Sequence, residues 1–344
     1  MKQLLVSPVT PISPRATSHR GAQAEIYADQ IERHTDHPVE VAYSGHDLDP
    51  SEYQVVYTYH GNDWGGSLNL FGGLDDQTAF KSITFFSRLK PEKIFSLAIK
   101  HPNYRGLFEE RLMKSKSQDQ VEKWHQVDWN QLDFLQQNAQ VWERVPGPTA
   151  KSSIGDSHAI CLYRPGNAVN SIPFKTLHGA LDHGLINFWP IDQGSPEHVE
   201  FYFGNIDIRH HLCRYDSEET IRLAKEYVLQ AEIVANLTKK GVSIYEPLPI
   251  ENESRVVPKT GWYKGTPFYG SWEERNGRRS LFIDTLDSLK SDRVKIVHWT
   301  NYLTNSKGEL DFKHMEKPRS VHLARSSYPY WLGRNSETKL ETFA

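Results

Sequence analysis

His198-Val199-Glu200-Phe201-Tyr202-Phe203-Gly204-Asn205-Ile206-Asp207-Ile208-Arg209-His210-His211 is the stretch on which the fold turns. Val199, Phe201 and Phe203 share one side of a period-two pattern, and Tyr202 makes the other side apolar too, as in a strand buried on both faces. Such strands belong to parallel sheets covered by helices. The residues that follow agree. Asp216 and Glu219 open a helix in the manner of a capping box, Ile221, Ala224, Val228, Ala231 and Ala235 recur on its inward face, and Gly241 stops it. Residues 242–245 and 294–299 read as two more strands, separated by an aromatic, glycine-rich insertion at 261–272 and a helix over 273–289. This is the pattern of a three-layer α/β domain, in which ligands bind beyond the carboxyl ends of the strands.

The first third of the chain alternates in the same way. Residues 3–6, 39–43, 53–59 and 93–99 read as strands, and 22–34 and 75–89 as helices, the second with Ala79, Phe80, Ile83, Phe86 and Leu89 on one face. Residues 114–149 are rich in Gln, Lys and Ser and end in Val145-Pro146-Gly147-Pro148, a boundary signal. The expected organisation is a smaller α/β domain of unassigned role over 1–113, a linker over 114–149, and the larger α/β domain over 150–344. Two compact units also suit a chain of 344 residues.

Composition narrows the function. A net charge of −3 from 40 basic and 43 acidic side chains leaves no electrostatic footprint for nucleic acid or an anionic membrane, so neither partner is expected. Cys161 and Cys213 lie in no spaced framework and read as small buried, reduced thiols of a cytoplasmic protein. Leu4-Leu5-Val6 is too short for the apolar core of a signal peptide, and no run approaches the ~20 apolar residues of a spanning helix. The sequence carries no signal of oligomeric state.

Upstream of the opening stretch stands Gly155-Asp156-Ser157-His158. A serine after a Gly-Asp turn is also a common loop sequence, in which Asp caps and Gly takes a positive φ. It becomes a nucleophile only where a base takes its proton and fixed donors receive the oxyanion. His322 in Arg319-Ser320-Val321-His322-Leu323 and His314 in Asp311-Phe312-Lys313-His314 are the two candidate bases.

These segments, covering about residues 151–330, resemble the SGNH/GDSL hydrolase family, whose signature blocks contribute a Ser, a Gly, an Asn and a His to one site. The resemblance is to the branch with a Gly-Asp-Ser-His start and a Gly-x-Ile-Asp-x-Arg third block. It implies a flavodoxin-like parallel sheet, no cofactor and no metal, and a Ser-His mechanism with Ser157 as nucleophile and Asp156 beside it. His322 is the preferred base. Gly179 and Asn205 are the implied oxyanion donors alongside the Ser157 N–H, and Asp207 completes the third block. His158, Arg209 and His210 are implied substrate contacts. Two departures stand out: the third block has Ile206 where the family has its Asn, and Arg319 occupies the position of the acid that would orient His322.

The implied activity is a serine esterase or acyltransferase acting on an ester of a sugar or modified nucleotide. Other readings remain. Asp207 and Arg209 equally suit a buried ion pair. His210 and His211 diverge as neighbours and lack further ligands at metal spacing. His60, Asn62 and Asp63, in a glycine-rich loop after a strand, are candidate substrate contacts at a crevice between the two domains. The first domain, through its strand, Gly21-containing turn and helix, resembles the opening half of a glycosyltransferase, which gives a glycosyltransferase-like enzyme as the alternative. An inactive SGNH-like binding module is the third.

Overall fold

The computed structural model describes residues 1–7, 19–43, 49–59, 93–97, 128–138, 140–142, 149–172, 175–190, 194–251, 269–316 and 322–330, with single positions 90, 122 and 265. The chain forms two compact units, Met1–Gly147 and Pro148–Ala344. They divide inside the Val145–Pro148 segment, in keeping with its two prolines and glycine.

In the first unit, β1 (Gln3–Ser7), α1 (His19–Thr35), β2 (Val39–Tyr43), β3 (Val55–Tyr59), β4 (Ile94–Leu97), α2 (Trp129–Asn138) and β5 (Gln140–Trp142) follow one another. The five strands form a parallel sheet in the order β2-β1-β3-β4-β5. Leu5 and Tyr57 of the sheet pack on Ala24, Ala28 and Ile31 of α1. The buried Gln3 is fully used: its amide nitrogen donates to Thr35 Oγ1 at 2.7 Å, and its oxygen accepts from Tyr57 Oη at 2.8 Å. The expected linker over 114–149 is therefore not one, because it contains α2 and the edge strand β5. A strand of three residues shows no periodicity, and α2 is polar enough to read as connector, starting at Asp128, whose carboxylate accepts the Gln131 N–H at 3.0 Å. The helix expected at 75–89 lies outside the described residues.

The second unit runs β6 (Lys151–Gly155), β7 (Asn167–Ser171), α3 (Leu177–His183), β8 (His198–Tyr202), α4 (Asn205–His210), α5 (Ser217–Thr238), β9 (Gly241–Tyr245), α6 (Trp272–Leu289) and β10 (Val294–Val297). Its sheet is also parallel, in the order β10-β9-β8-β6-β7. One face, made by Ile154, Val199, Phe201, Val242, Ile244 and Val294, packs on Leu177 and Ala180 of α3, Leu223 to Ala235 of α5, and Phe282 and Leu286 of α6. Burying each Leu, Val or Phe there is worth roughly 1.5–3 kcal/mol. On the other face Tyr202 meets Tyr245 and Trp299, with the short 3-10 turn Ala159–Leu162 nearby in sequence after β6. Asp216 caps α5 by accepting the Glu219 N–H at 3.1 Å, and Ser271 with Glu274 forms a complete capping box on α6. Ile221 turns partly outward, and Thr220 and Leu223 take its inward place.

Because β6 lies between β7 and β8, the connections leaving β6 and β8 diverge. This makes the carboxyl end of β6 a switch point, the usual place for a ligand in such a sheet. Among the described residues no helix is long and apolar enough to cross a membrane.

Candidate active site

The switch point is tightly built. Asp156 N–H donates to the Tyr202 carbonyl at 3.1 Å, drawing the end of β6 against β8. A Cβ on residue 155 would then lie 2.0 Å from the Tyr202 oxygen, so Gly155 is the residue this approach admits. Asp156 is fully buried. Its Oδ1 accepts both the His158 N–H and His158 Nδ1 at 2.8 Å, an Asx turn closed by a second bond to the same residue.

That turn leaves Ser157 half-exposed between two buried neighbours, with its Oγ 2.9 Å from Nε2 of His322. A separate strap holds His322. Glu316 N–H donates to the His322 carbonyl at 3.0 Å, Ala324 N–H donates to the His314 carbonyl at 2.7 Å, and Met315 and Leu323 form an antiparallel bridge. His314 belongs to the strap and not to the serine: its Nδ1 lies 2.9 Å from Ser327 Oγ, and Asp311 accepts the Lys313 N–H. The ring of His158 stacks on that of His322, with centroids 4.8 Å apart and planes at 28°. The space lined by these two rings with Ile160, Cys161, Leu248, Leu323 and Tyr328 is too tight for water.

Several residues that the sequence marked for the site are occupied elsewhere. Gly179 N–H donates to Thr176 Oγ1 at 3.0 Å, because Thr176 is the N-cap of α3 and takes the amide an oxyanion would need. Asn205 is fully buried; its Nδ2 donates to Asp156 Oδ2 at 3.2 Å and its Oδ1 accepts from Leu248 N–H at 2.8 Å. Both side-chain groups are thus structural, and neither residue offers an oxyanion donor. Arg209 donates through Nε to Glu251 at 2.8 Å, through Nη1 to the Asn205 carbonyl at 3.2 Å and through Nη2 to the Pro249 carbonyl at 2.9 Å. It is a buried ion pair rather than a substrate contact. His158 is 5% exposed, so it lies beneath the site and not at its mouth. His210 is partly exposed and its carbonyl accepts from Arg214 Nε at 2.9 Å. His60, Asn62 and Asp63 lie outside the described residues. The Ser157 N–H has no acceptor among the described residues, which leaves it available as a donor.

Asp207 acts on the loop opposite. Its carboxylate accepts the Leu177 N–H at 2.6 Å and the His178 N–H at 3.3 Å, fixing the start of α3. Burial outweighs these bonds and pushes its pKa from the ordinary 3.8 up to about 6. A folded-state value above the unfolded one means that the native protein holds the extra proton, so this contribution to stability is present below about pH 4 and lost as pH rises through 6. Relative to Asp207→Asn, the wild type is expected to lose up to about 3 kcal/mol of unfolding free energy between pH 4 and 7. Urea titrations of both proteins across that range check this, and a pH-independent difference contradicts it.

Among the described residues no group of three His, Cys, Asp or Glu side chains is arranged to hold a metal ion. Cys161 and Cys213 are both free thiols; Cys161 is buried, and burial pushes its pKa up.

No protein-family model matches the chain, and no curated protein sequence matches it. Among solved structures it is similar to a protein from Streptococcus pneumonia described as a platelet activating factor, with 16% identity and a TM-score of 0.38 over 54% of this chain and 81% of that one. It is also similar to a protein from Bacteroides fragilis described as an acylhydrolase (15% identity, TM-score 0.38, 53% and 84%). A GDSL-like lipase from Bacteroides thetaiotaomicron matches to the same degree (16%, TM-score 0.38, 52% and 81%). Each likeness is confined to about half of this chain and says nothing of its chemistry.

Proposed function

We propose that the second unit is a serine hydrolase or acyltransferase acting on an ester, with Ser157 as nucleophile and His322 as general base. The observation that carries this reading is the 2.9 Å separation of Ser157 Oγ and His322 Nε2 at the switch point of the sheet. Ser157 Oγ attacks the acyl carbonyl carbon while its proton passes to Nε2. The developing oxyanion lies against the Ser157 N–H. Collapse of the tetrahedral intermediate breaks the bond to the alcohol oxygen, which takes the proton from Nε2, and the acyl group stays on Oγ. Water or an acceptor hydroxyl then attacks the acyl carbon, gives its proton to Nε2, and the second collapse returns that proton to Oγ.

A second reading, an inactive binding module, is favoured by one observation: the Gly179 and Asn205 donors are already engaged. A fluorophosphonate probe separates the two. The wild type is expected to react, with the adduct found on the peptide containing Ser157 by mass spectrometry. His322→Ala should slow the reaction by roughly 10² or more through loss of the base. Wild-type protein that stays unlabelled where a known serine esterase is labelled would favour the binding module.

A further inference from the structure

We propose that the outward face of α5 is a homodimer interface, on which a second copy of this chain pairs antiparallel about a two-fold axis at Ile233. Leu229, Ile233 and Leu237 are 58%, 43% and 67% exposed, each one turn from the next, on the side of the helix opposite the buried Val228, Ala231 and Ala235. From Tyr227 to Leu237 only Gln230, Glu232 and Asn236 are polar. Gln230 turns back to its own fold: its Oε1 accepts the Leu185 N–H at 3.0 Å, and its Nε2 donates to the Leu181 carbonyl at 3.0 Å. A helix apolar on all sides is one that is covered on all sides. In α5 the inner side packs in the core of the second unit and the outer side stands in water. Which residues face outward is shown only by the structure.

The pattern of this face selects its occupant, because it reads the same in both directions from Ile233. Leu229 and Leu237 lie four residues to either side, Gln230 and Asn236 three, and Glu226 and Lys240 seven. A two-fold axis through Ile233 turns each of these residues onto its counterpart in the second copy, as an isologous interface requires. Leucine then meets leucine and isoleucine meets isoleucine. About 10 Å from the axis, at both ends, the Glu226 carboxylate meets the Lys240 ammonium of the second copy. A parallel pairing would set Glu226 against Glu226 and align the two helix dipoles, both unfavourable. Within one chain Glu226 faces Arg222 at 2.7 Å and Lys240 faces Glu197 at 2.6 Å. These are partly exposed pairs that water screens, so each group can take up a second charge beside the first. Three aliphatic side chains make a small apolar centre, which places the dimer among weak, reversible associations.

Sedimentation equilibrium of the full chain from about 1 to 200 µM tests this. The wild type is expected to reach twice the chain mass, with a dissociation constant on the order of 10 µM. Ile233→Asp puts two carboxylates at the axis and should weaken association at least about tenfold. Glu226→Lys and Lys240→Glu, each alone, set like charges at both ends and should weaken it at least about threefold. An equimolar mixture of those two variants restores opposite charges at both ends, and should associate at least about threefold more tightly than either component. A wild type that stays monomeric at about 200 µM overturns the proposal. If that monomer co-sediments with phosphatidylcholine vesicles, the stripe belongs to a lipid surface instead. A dimer untouched by Ile233→Asp has its interface elsewhere, and a mixture no tighter than its components has a different register; either result overturns the pairing. Thermal melts confirm that the variants fold. The two charge variants, at partly exposed positions, carry the test if Ile233→Asp does not fold.

Discussion

Ser157→Ala is expected to abolish fluorophosphonate labelling while moving the melting temperature by less than about 3 °C. The two halves of this result have different causes. Ser157 is partly exposed and its hydroxyl bonds to His322, so deleting it removes about 1 kcal/mol or less from the fold. Labelling, in contrast, requires an activated oxygen, and the described residues offer no other nucleophile beside His322. Cys161 lies close by but is 2% exposed, and its thiol is kept protonated by burial. Intact-mass spectrometry after incubation with the probe gives the first half and a thermal melt the second. Residual labelling above a few per cent of wild type, or an adduct on another serine, would move the nucleophile elsewhere.

The second large effect is on the fold. Arg209 and Glu251 are 2% and 1% exposed, and the guanidinium also satisfies the carbonyls of Asn205 and Pro249. Arg209→Ala removes the guanidinium that the Glu251 carboxylate faces and a donor from each of two buried carbonyls. A loss of about 3–5 kcal/mol is expected, a large share of the roughly 5–15 kcal/mol that holds a typical domain. Pairing the change with Glu251→Gln should restore part of it, since the buried charge that faced the guanidinium is then gone. Urea unfolding of the single and double variants measures both, and a single-variant loss under about 1 kcal/mol contradicts the buried-pair account. Because Asn205 sits next to this pair and holds Asp156, the single variant should also slow labelling in whatever fraction remains folded.

What the sequence made legible follows from where its polar residues sit. β8 and β9 were legible because Val199, Phe201, Val242 and Ile244 recur at the period of a strand and face the helices, and α5 announced itself through Asp216. β6 and β7 escaped notice because their other face is polar and internally paired. Ser153 Oγ donates to Glu200 at 2.6 Å, Asn167 donates to Ser153 at 2.7 Å, Tyr245 Oη reaches Glu200 at 3.2 Å, and Arg164 pairs with the same carboxylate. Such a layer costs little once satisfied, yet it erases the apolar period by which a strand is recognised.

At the candidate site, motif and spacing pointed to Ser157 and His322, whose side chains the structure brings within 2.9 Å of each other. The same signals could not show that Asp156 consumes the Asn205 amide, which depends on a contact between segments 49 residues apart, whereas the Thr176–Gly179 bond that consumes the Gly179 amide is a local N-cap at a readable spacing. Another local clue, Asp156 and His158 two positions apart, is the spacing of an Asx turn. It places His158 with its own neighbour's carboxylate and not with a ligand.

The serine and histidine that face each other across the sheet edge are 165 residues apart along the chain. At a translation rate of about 5–20 residues per second, roughly ten to thirty seconds pass between the emergence of one and of the other. Throughout that interval the nascent polypeptide holds the Gly155–His158 segment without His322, and the Met315–Leu323 bridge beside His322 has yet to form. On the proposed roles of Ser157 and His322, chemical competence is therefore among the last properties the second unit acquires, and a chain ended before residue 322 is expected to be silent rather than reactive.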